Sequence, residues 1–220
     1  MAEEKINDNN PLRTTEMAVS LFSRVATQYR DKFMNVEDYS QQLDAFCNDL
    51  KQNAQVLELA CGPGNITRYL LNRRPDLNIL ATDLSEEMLV LAREANPQTN
   101  FALMDVRDFK KLGQMFDGII CSFGLPYLSK EDAVNMIADA SGILLSNSML
   151  YISVMEDEYS KSGLETTASG NTLYIYYHQE DYLREAINTS GFNLVNVMRR
   201  EAESGGKPVT ELVLVARKTL

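Results

Sequence analysis

Several features that define other classes of protein are missing or scarce in this chain of 220 residues. Residues 1–10 contain no apolar stretch, so we expect no secretory signal. No apolar run approaches the ~18 residues of a membrane span, so we expect no membrane segment. The sequence has only three cysteines and one histidine, and their scatter excludes a zinc site or a disulfide framework. We therefore expect free thiols, no bound metal and a cytoplasmic location.

Positive charge is scarce as well. The formal net charge is −10, and the densest basic clusters are pairs such as Arg73-Arg74 and Arg199-Arg200. A nucleic-acid partner needs a basic stripe that neutralises phosphates, so we do not expect one. Hydrophobic residues make up 45% of the chain, enough for the core of one sizeable domain. A small-molecule partner and a monomer or homodimer are the expectations that remain.

The hydrophobic pattern changes at about residue 53. Before it, residues 1–13 are polar and predict an arm, and residues 15–50 repeat apolar side chains at helical spacing with a break at 32–35. After it, short apolar runs alternate with amphipathic stretches, which predicts a parallel sheet with helices on both faces. The predicted strands are 55–60, 77–82, 100–104, 116–122, 149–155, 172–177, 192–199 and 210–217; the predicted helices are 66–73, 86–95, 130–145 and 181–189. The short connection at 204–208 predicts that the last two strands are antiparallel neighbours.

A glycine turn follows the first predicted strand, within "VLELACGPGNIT". Gly62 and Gly64 allow a sharp turn and the close approach of a ligand, and the next helix offers free N–H groups. A dinucleotide site would have a third glycine where this chain has Thr67, and Pro63 removes a donor from the turn. An NAD-dependent oxidoreductase is therefore disfavoured, and an ordinary tight turn stays an alternative.

Acidic residues stand at the ends of three successive predicted strands: Glu58, Asp83 and Asp105. Open α/β sheets bind ligands at the carboxyl ends of their strands. Asp83 can reach the hydroxyls of a ribose, or it can cap the next helix, for which Ser85 is better placed. Asp105 can accept a hydrogen bond from an exocyclic amine, or it can be a solvated turn residue. Together these acids favour a ligand with adenosine, an amine and a positive charge.

The chain resembles the class I S-adenosylmethionine-dependent methyltransferases of the bacterial small-molecule type. The resemblance runs from about residue 29 to the C-terminus, through the segments "LELACGPGNIT", "ATDLSEEML", "MDVRDF" and "FDGIICSFGLPYL". It implies a Rossmann-like, doubly wound, mostly parallel seven-stranded sheet with an antiparallel C-terminal strand. Residues 1–50 would form the N-terminal arm and helical lid, and 51–220 the binding domain, with an insert at 157–178 near the acceptor site. The implied reaction moves a methyl group from S-adenosylmethionine to a small molecule by in-line displacement.

The resemblance also implies which residues bind this cofactor. Gly62 and Gly64 would approach its methionine part, and Glu58 would support their turn. Asp83 would take the ribose hydroxyls, and Asp105 the adenine amino group. The remaining predicted cofactor-binding residues are Tyr29, which would close over the site, and Ala60, Cys61, Leu84, Met88, Val106, Ser122 and Phe123.

One position departs from the pattern of the family turn, acid-x-Gly-x-Gly-x-Gly. Ala60 replaces the first glycine. Because alanine allows most conformations with φ below zero, we expect this change to matter little.

Two residues are candidates for catalysis, His178 and Tyr127. His178 follows "TLYIYY" and would share a face with two tyrosines, where it could act as a general base; alternatively, it holds the turn before the next helix. Tyr127 ends Gly124-Leu125-Pro126-Tyr127, where DNA amino-methylating enzymes have Asp or Asn and then Pro-Pro-Tyr. The missing acid or amide disfavours methylation of nucleic-acid amines, and Tyr127 either contacts the acceptor or packs. Methyl transfer requires a base only when the attacking atom carries a proton.

An alternative function is open at this level. A protein that binds S-adenosylmethionine as a sensor or as a partner subunit would share the same motif. The nature of the acceptor atom is not determined, because fold does not specify acceptor chemistry.

Overall fold

The computed structural model describes residues 11–166, 170–204 and 206–219. Its helices are α1 (Pro11–Phe33), α2 (Ser40–Asn48), α3 (Asn65–Arg73), α4 (Glu86–Ala95), α5 (Lys130–Ile143) and α6 (Glu180–Thr189). Its strands are β1 (Gln55–Leu59), β2 (Asn78–Asp83), β3 (Asn100–Leu103), β4 (Phe116–Cys121), β5 (Leu144–Glu156), β6 (Gly163–Thr166), β7 (Thr172–Ile175), β8 (Phe192–Ser204) and β9 (Lys207–Lys218). Strands and α-helices alternate from β1 to β3, as the change in hydrophobic pattern predicts, and a 3-10 helical segment (Val106–Leu112) joins β3 to β4.

The main sheet has seven strands in the order β3-β2-β1-β4-β5-β9-β8. Neighbours from β3 to β5 pair in parallel, whereas β9 is antiparallel to both β5 and β8. The prediction of a mostly parallel sheet with an antiparallel C-terminal strand is confirmed. The carboxyl ends of β1, β2 and β4 consequently meet at one edge, where the chain turns into the following segments.

Each face of the sheet buries its own apolar cluster. On one face, Leu57, Ile119 and Leu150 pack against α5 and α6; on the other, Val56 and Tyr151 pack against α2 and α3. The strands alternate between these clusters because successive side chains point to opposite faces. Burial on both faces explains why β1 and β4 are nearly continuous apolar runs.

Local signals fix the helix starts beside the carboxyl edge. Ser85 caps α4, where its hydroxyl accepts a hydrogen bond from the Met88 N–H, and Ser129 caps α5 in the same way. Each cap satisfies one of the donors that a helix start leaves free. The assignment of the α4 cap to Ser85 rather than Asp83 is confirmed.

The structure differs from prediction in two segments of the chain. Residues 11–13 of the predicted arm are the first turn of α1, and its residues 1–10 lie outside the described part. The stretch 157–171, predicted as a loop, contains β6, which forms a two-stranded antiparallel sheet with β7. A strand of four residues carries too short an alternation to be recognised. Residues 167–169 of that stretch also lie outside the described part.

Within residues 11–166, 170–204 and 206–219, none of the helices combines the length and the hydropathy that crossing a bilayer requires.

Candidate active site

A cavity lies at the carboxyl edge of the sheet, beneath helix α1. The residues around it come from the ends of β1, β2 and β4, from the segments after β3 and β4, and from α1. They are Thr15, Ala18, Val19, Phe22, Tyr29, Ala60, Gly62, Asp83, Leu84, Ser85, Met88, Asp105, Val106, Ser122, Phe123, Gly124, Tyr127 and Leu128.

Most of the predicted site residues meet in this cavity. Those that line it are Tyr29, Ala60, Gly62, Asp83, Leu84, Met88, Asp105, Val106, Ser122, Phe123 and Tyr127. Those that the structure places outside the lining are Glu58, Cys61, Gly64 and His178. The residues come from separate parts of the sequence, and the parallel sheet brings them together because it aligns its strand ends.

The glycine turn is held in the left-handed region over several residues. Gly62 has φ +53°, and a Cβ there would point at the Tyr29 ring, 3.9 Å from Cε1. The missing side chain therefore leaves space between the turn and Tyr29. Ala60 also has a positive φ, +52°. The expectation that alanine matters little here is wrong, because this position requires a conformation that costs a non-glycine residue roughly 1–2 kcal/mol.

Gly64 and Cys61 support the turn from behind. A Cβ on Gly64 would lie 2.5 Å from the Asn96 amide nitrogen and 3.2 Å from the backbone of Ala92. This glycine therefore allows α3 to pack against α4, and it does not line the cavity. The Cys61 N–H donates to the Thr82 carbonyl, and its thiol is buried in the cluster under the sheet. The prediction that these two residues contact the ligand is not supported by their placement.

Glu58 is a buried acid beneath the turn. The Thr67 hydroxyl donates to its Oε2 at 2.5 Å, and its Oε1 is buried without a hydrogen-bond partner. Burial outweighs the bonds from Thr67 and raises the Glu58 pKa to about 8, so the carboxyl holds a proton at neutral pH. Thr67, the residue in place of the third glycine, thus ties β1 to α3 internally.

Asp83 links the glycine turn to the start of α4 at the edge of the cavity. The Gly62 N–H donates to its Oδ2 at 2.8 Å, and the Ser85 N–H to its Oδ1 at 2.9 Å. Burial raises the pKa of Asp83 above its ordinary value although these bonds oppose the shift. Each oxygen has a second lone pair, so the carboxylate can still accept two hydroxyl groups from a ligand in the cavity.

Asp105 is paired with its neighbour Arg107. The Arg107 backbone N–H and Nε donate to Oδ1, and a guanidinium nitrogen contacts Oδ2. Burial would raise the pKa of Asp105, but the hydrogen bonds from Arg107 hold it below its ordinary value. The residue is therefore an anion that is oriented at the cavity wall. An exocyclic amine could donate to a lone pair that Arg107 leaves free.

Helix α1 forms the roof of the cavity. Ser23 shares a hydrogen bond of 2.9 Å with Ser85, and Leu21 packs with Leu173 and Ile175 of β7. Phe22 meets Tyr127 edge to face, with ring centres 5.0 Å apart. The roof is thus attached both to the binding floor and to the small β6–β7 sheet.

Several roof and wall residues were not predicted from the sequence. They are Thr15, Ala18, Val19, Phe22, Ser85, Gly124 and Leu128. The α1 residues among them lie at a spacing of three or four, which reads as an ordinary core-facing stripe. Only the position of the helix over the sheet edge makes this stripe a wall of the site.

His178 does not lie in the cavity. It is fully buried, its Nε2 pairs with the Leu125 carbonyl at 2.8 Å, and its Nδ1 pairs with the Tyr182 hydroxyl. Burial lowers its pKa to about 4, so the ring is neutral: Nε2–H donates and Nδ1 accepts. No lone pair is left to take a proton. The expectation of a general base gives way to the alternative, a histidine that holds the turn before α6.

Tyr127 lines the cavity, as its position after β4 predicts. Burial, with a smaller contribution from Tyr29, raises the pKa of Tyr127 well above its ordinary value, so it remains protonated. Tyr29 lies opposite, in edge contact with Phe22 at 5.5 Å. Burial and then the charges on Asp83 and Glu211 raise the pKa of Tyr29 to about 12.

The known proteins that this chain resembles are methyltransferases. A family model described as a methyltransferase domain matches residues 56–147. A trans-aconitate 2-methyltransferase of Variovorax paradoxus is 40% identical over 83 residues, which are 38% of this chain and 32% of that protein. A malonyl-[acyl-carrier protein] O-methyltransferase of Acetivibrio thermocellus is 34% identical over 103 residues, covering 45% and 36%. The matched segments thus span about a third of the length of these relatives.

Solved structures share the fold over more of the chain. The 1,6-didemethyltoxoflavin-N1-methyltransferase of Burkholderia thailandensis, with S-adenosylhomocysteine bound, has a TM-score of 0.71 and 22% identity. It covers 100% of this chain and is itself covered to 94%. The magnesium protoporphyrin IX methyltransferase of Synechocystis, with S-adenosylmethionine bound, has a TM-score of 0.68 and 17% identity, covering 94% and 97%. At these identities the likeness is one of fold.

Proposed function

The chain belongs to the class I S-adenosylmethionine-dependent methyltransferases, and we propose that it transfers a methyl group from this donor to a small-molecule acceptor. The observation that carries the proposal is the convergence of predicted cofactor-binding residues from four strand ends on one roofed cavity. The residues that line the cavity fit S-adenosylmethionine. Asp83 and Asp105 offer acceptors for hydroxyl and amino groups, and Gly62 leaves open space. Among the described residues, none of those lining the cavity has a basic side chain that would repel a cation.

We assign the parts of the donor to residues as follows. Asp83 would hold the ribose hydroxyls with the second lone pairs of its oxygens. Asp105 would accept from the adenine amino group, the backbone of Val106 would meet the ring, and Leu84 and Met88 would pack against it. Tyr29 would cover the methionine part above Gly62, and Ser122 and Phe123 would border the reacting end. When bound, the donor supplies a methyl group on a positively charged sulfur, which is already a strong electrophile.

The protein's part in the reaction is alignment and exclusion of water. Alignment of two reacting groups lowers a barrier by roughly 7–11 kcal/mol. Helix α1 shields the cavity from above, and the edge-to-face rings of Phe22 and Tyr127 stiffen the wall at the end of β4. Since His178 is occupied and Tyr127 stays protonated, neither accepts a proton from the acceptor. The proposal therefore favours an acceptor whose attacking atom has a free lone pair and needs no base from the protein during transfer.

The test is a calorimetric titration with S-adenosylhomocysteine. We expect Asp83→Asn to weaken binding by roughly tenfold to a hundredfold, because the amide offers one acceptor oxygen in place of two charge-assisted ones. Glu94→Gln, an exposed acid on the outside of α4, is the matched control and should bind as the wild type does. Equal affinities for the wild type and Asp83→Asn would contradict the assignment.

A second experiment separates an enzyme from a sensor. The wild type is incubated with donor carrying a labelled methyl group and with a pool of small metabolites. We expect label in an acceptor fraction; tight binding of S-adenosylhomocysteine with no labelled product in any fraction would favour the sensor or partner subunit. The family match to methyltransferases favours the enzyme.

Further parts of the proposal concern the whole chain. We propose that residues 1–50 act as arm and lid and 51–220 as the binding domain, with the insert at 157–178 bracing the lid. A reducing, cytoplasmic location is part of the same proposal, because Cys47, Cys61 and Cys121 are all free and buried. A monomer or homodimer is the proposed state.

A further inference from the structure

Beside the two acids Asp83 and Asp105, the walls of the cavity carry aromatic rings. Phe22, Tyr29, Phe123 and Tyr127 all line it. Phe22 stands between two of them, in edge contact with Tyr29 at 5.5 Å and with Tyr127 at 5.0 Å. Aromatic side chains in such arrangements favour flat apolar partners by roughly 0.5–1.5 kcal/mol per pair.

Positive charge is absent from the lining. None of the residues that line the cavity in the described part of the chain is lysine, arginine or histidine. Of the basic groups nearby, Arg107 is paired with Asp105 at the cavity wall. His178, behind the wall, is neutral and has both ring nitrogens occupied.

Arg200, on the far side of Tyr39 from Phe123, is compensated as well. Its guanidinium contacts the carboxylates of Asp38 and Glu211. Tyr39 lies between it and the cavity: the Tyr39 ring packs on Phe123 with centres 5.5 Å apart, and its hydroxyl donates to Glu211 at 2.8 Å. The two acids outweigh the single arginine, so this side of Phe123 offers no net positive charge.

An acceptor must bring its attacking atom to about 3–3.5 Å from the methyl group, inside the roofed cavity. A carboxylate there would lose its water, and the lining in the described part of the chain offers it no basic side chain. Its counter-charge would be the positive sulfur of the donor, and S-adenosylhomocysteine lacks that charge. A cationic acceptor would lie beside the positively charged sulfur of the donor, and like charges at such a distance repel.

Resting on the methyl transfer proposed above, we infer that the acceptor is an uncharged, flat, apolar or aromatic molecule and not a carboxylate. The acceptor class thus differs from that named in the matched relatives that methylate trans-aconitate, a carboxylate. The aromatic rings provide the surface against which a flat acceptor packs. The lack of basic side chains in the lining makes a carboxylate bind less well than an uncharged molecule.

The experiment measures binding of charge variants of one ring system to the wild type saturated with S-adenosylhomocysteine. The cationic variant is also measured on the wild type saturated with S-adenosylmethionine, whose sulfur carries the positive charge. Naphthol, naphthoate and naphthylmethylammonium have the same flat core and are neutral, anionic and cationic at neutral pH. We expect naphthol to bind about tenfold or more tightly than naphthoate, since a buried polar group without a partner costs at least this much. Calorimetric titration gives the three affinities, and methyl transfer to trans-aconitate is assayed in parallel.

A pair of variants ties the preference to the cavity. Phe22→Ala should weaken naphthol binding about threefold to tenfold, because it removes the central ring of the wall. Gln28→Ala, an exposed position on the same helix, should leave naphthol affinity unchanged. An unchanged affinity in Phe22→Ala would place naphthol outside this cavity and overturn the inference.

The remaining outcomes are equally decisive. Each of the following would overturn the acceptor class: naphthoate binding as tightly as naphthol, naphthylmethylammonium binding to the S-adenosylmethionine complex as tightly as to the S-adenosylhomocysteine complex, no binding of any of the three, or transfer to trans-aconitate. None of them touches the proposed function, which fails only if S-adenosylhomocysteine does not bind or no acceptor is ever labelled.

Discussion

Ala60 has a backbone conformation that is unfavourable for alanine. It has φ +52°, between β1 and Gly62, in a region that glycine occupies freely and alanine does not. The methyl group also borders the cavity and would lie 2.9 Å from a Cβ on Gly124. Alanine here therefore combines local strain with a defined shape of the cavity wall.

We predict that Ala60→Gly stabilises the protein. Relief of the left-handed strain, roughly 1–2 kcal/mol, exceeds the entropy that glycine adds to the unfolded chain, about 0.4–1 kcal/mol. Thermal and urea unfolding should show a gain of about 0.5–1 kcal/mol. Ala81→Gly, in the middle of β2 and fully buried, is the control and should destabilise. A loss of stability in Ala60→Gly would contradict the strain argument.

Glu58 gives a second prediction, on pH. Its pKa rises on folding from 4.5 to about 8, so the folded state holds a proton that the unfolded state releases above 4.5. Stability from this group is thus complete below 4.5 and declines as the pH rises to about 8, by at most ~1.4 kcal/mol per pH unit. Glu58→Gln keeps a neutral side chain and should lack this decline.

The measurement is urea unfolding of the wild type and Glu58→Gln at several pH values between 5 and 8. Glu94→Gln replaces an exposed acid and should follow the wild type. Parallel stability curves for the wild type and Glu58→Gln would show that Glu58 is ionised in the folded protein, against expectation.

At the scale of elements, α1 depends on contacts that are distant in sequence. Leu21 packs on Leu173 and Ile175 of β7, while Ser23 bonds to Ser85 at the start of α4. The small β6–β7 sheet therefore acts as a brace for the roof. Leu21, Leu173 and Ile175 form an apolar cluster separate from the two clusters of the main sheet, so the roof can be loosened without unfolding that sheet.

We predict that Leu21→Ala loosens the roof and speeds the release of S-adenosylhomocysteine about tenfold. Truncation of a buried leucine removes roughly 2–5 kcal/mol of packing, here between α1 and β7. Stopped-flow displacement gives the dissociation rate. Ser20→Ala, exposed on the same helix, should dissociate as the wild type does, and an unchanged rate in Leu21→Ala would show that α1 does not retain the ligand.

At the scale of the whole molecule, the net charge of −10 and the ion pairing of the basic side chains determine which partners the surface attracts. Arg74, Arg199 and Arg200 each contact at least one carboxylate. Basic pairs that look available in the sequence are thus compensated in the fold. A polyanion would find little to neutralise its phosphates.

We predict no measurable binding to double-stranded DNA or RNA at about 0.15 M salt. Fluorescence anisotropy of labelled duplexes over a range of salt concentrations tests this. Affinity that falls steeply with added salt would indicate a basic surface and would reopen nucleic acid as an acceptor. Naphthol binding under the same conditions serves as the positive control.

Local sequence patterns predicted the order of the strands and helices apart from β6, the antiparallel end of the sheet and the acids at the strand ends. These follow from patterns within a few residues of each other: period-two and helical alternation, caps such as Ser85, and the turn at Gly62. Asp83 and Asp105 could be assigned because a parallel sheet always brings its strand ends to one edge.

The remaining features of the site follow from tertiary contacts. That α1 roofs the cavity, that His178 has no free lone pair, that Gly64 serves packing and that Ala60 is strained all depend on contacts between segments far apart in the chain. Such contacts leave no period or motif in the sequence, since either partner alone reads as an ordinary core or turn residue. The role of each of these residues therefore depends on how distant segments pack together, and local sequence patterns do not encode that packing.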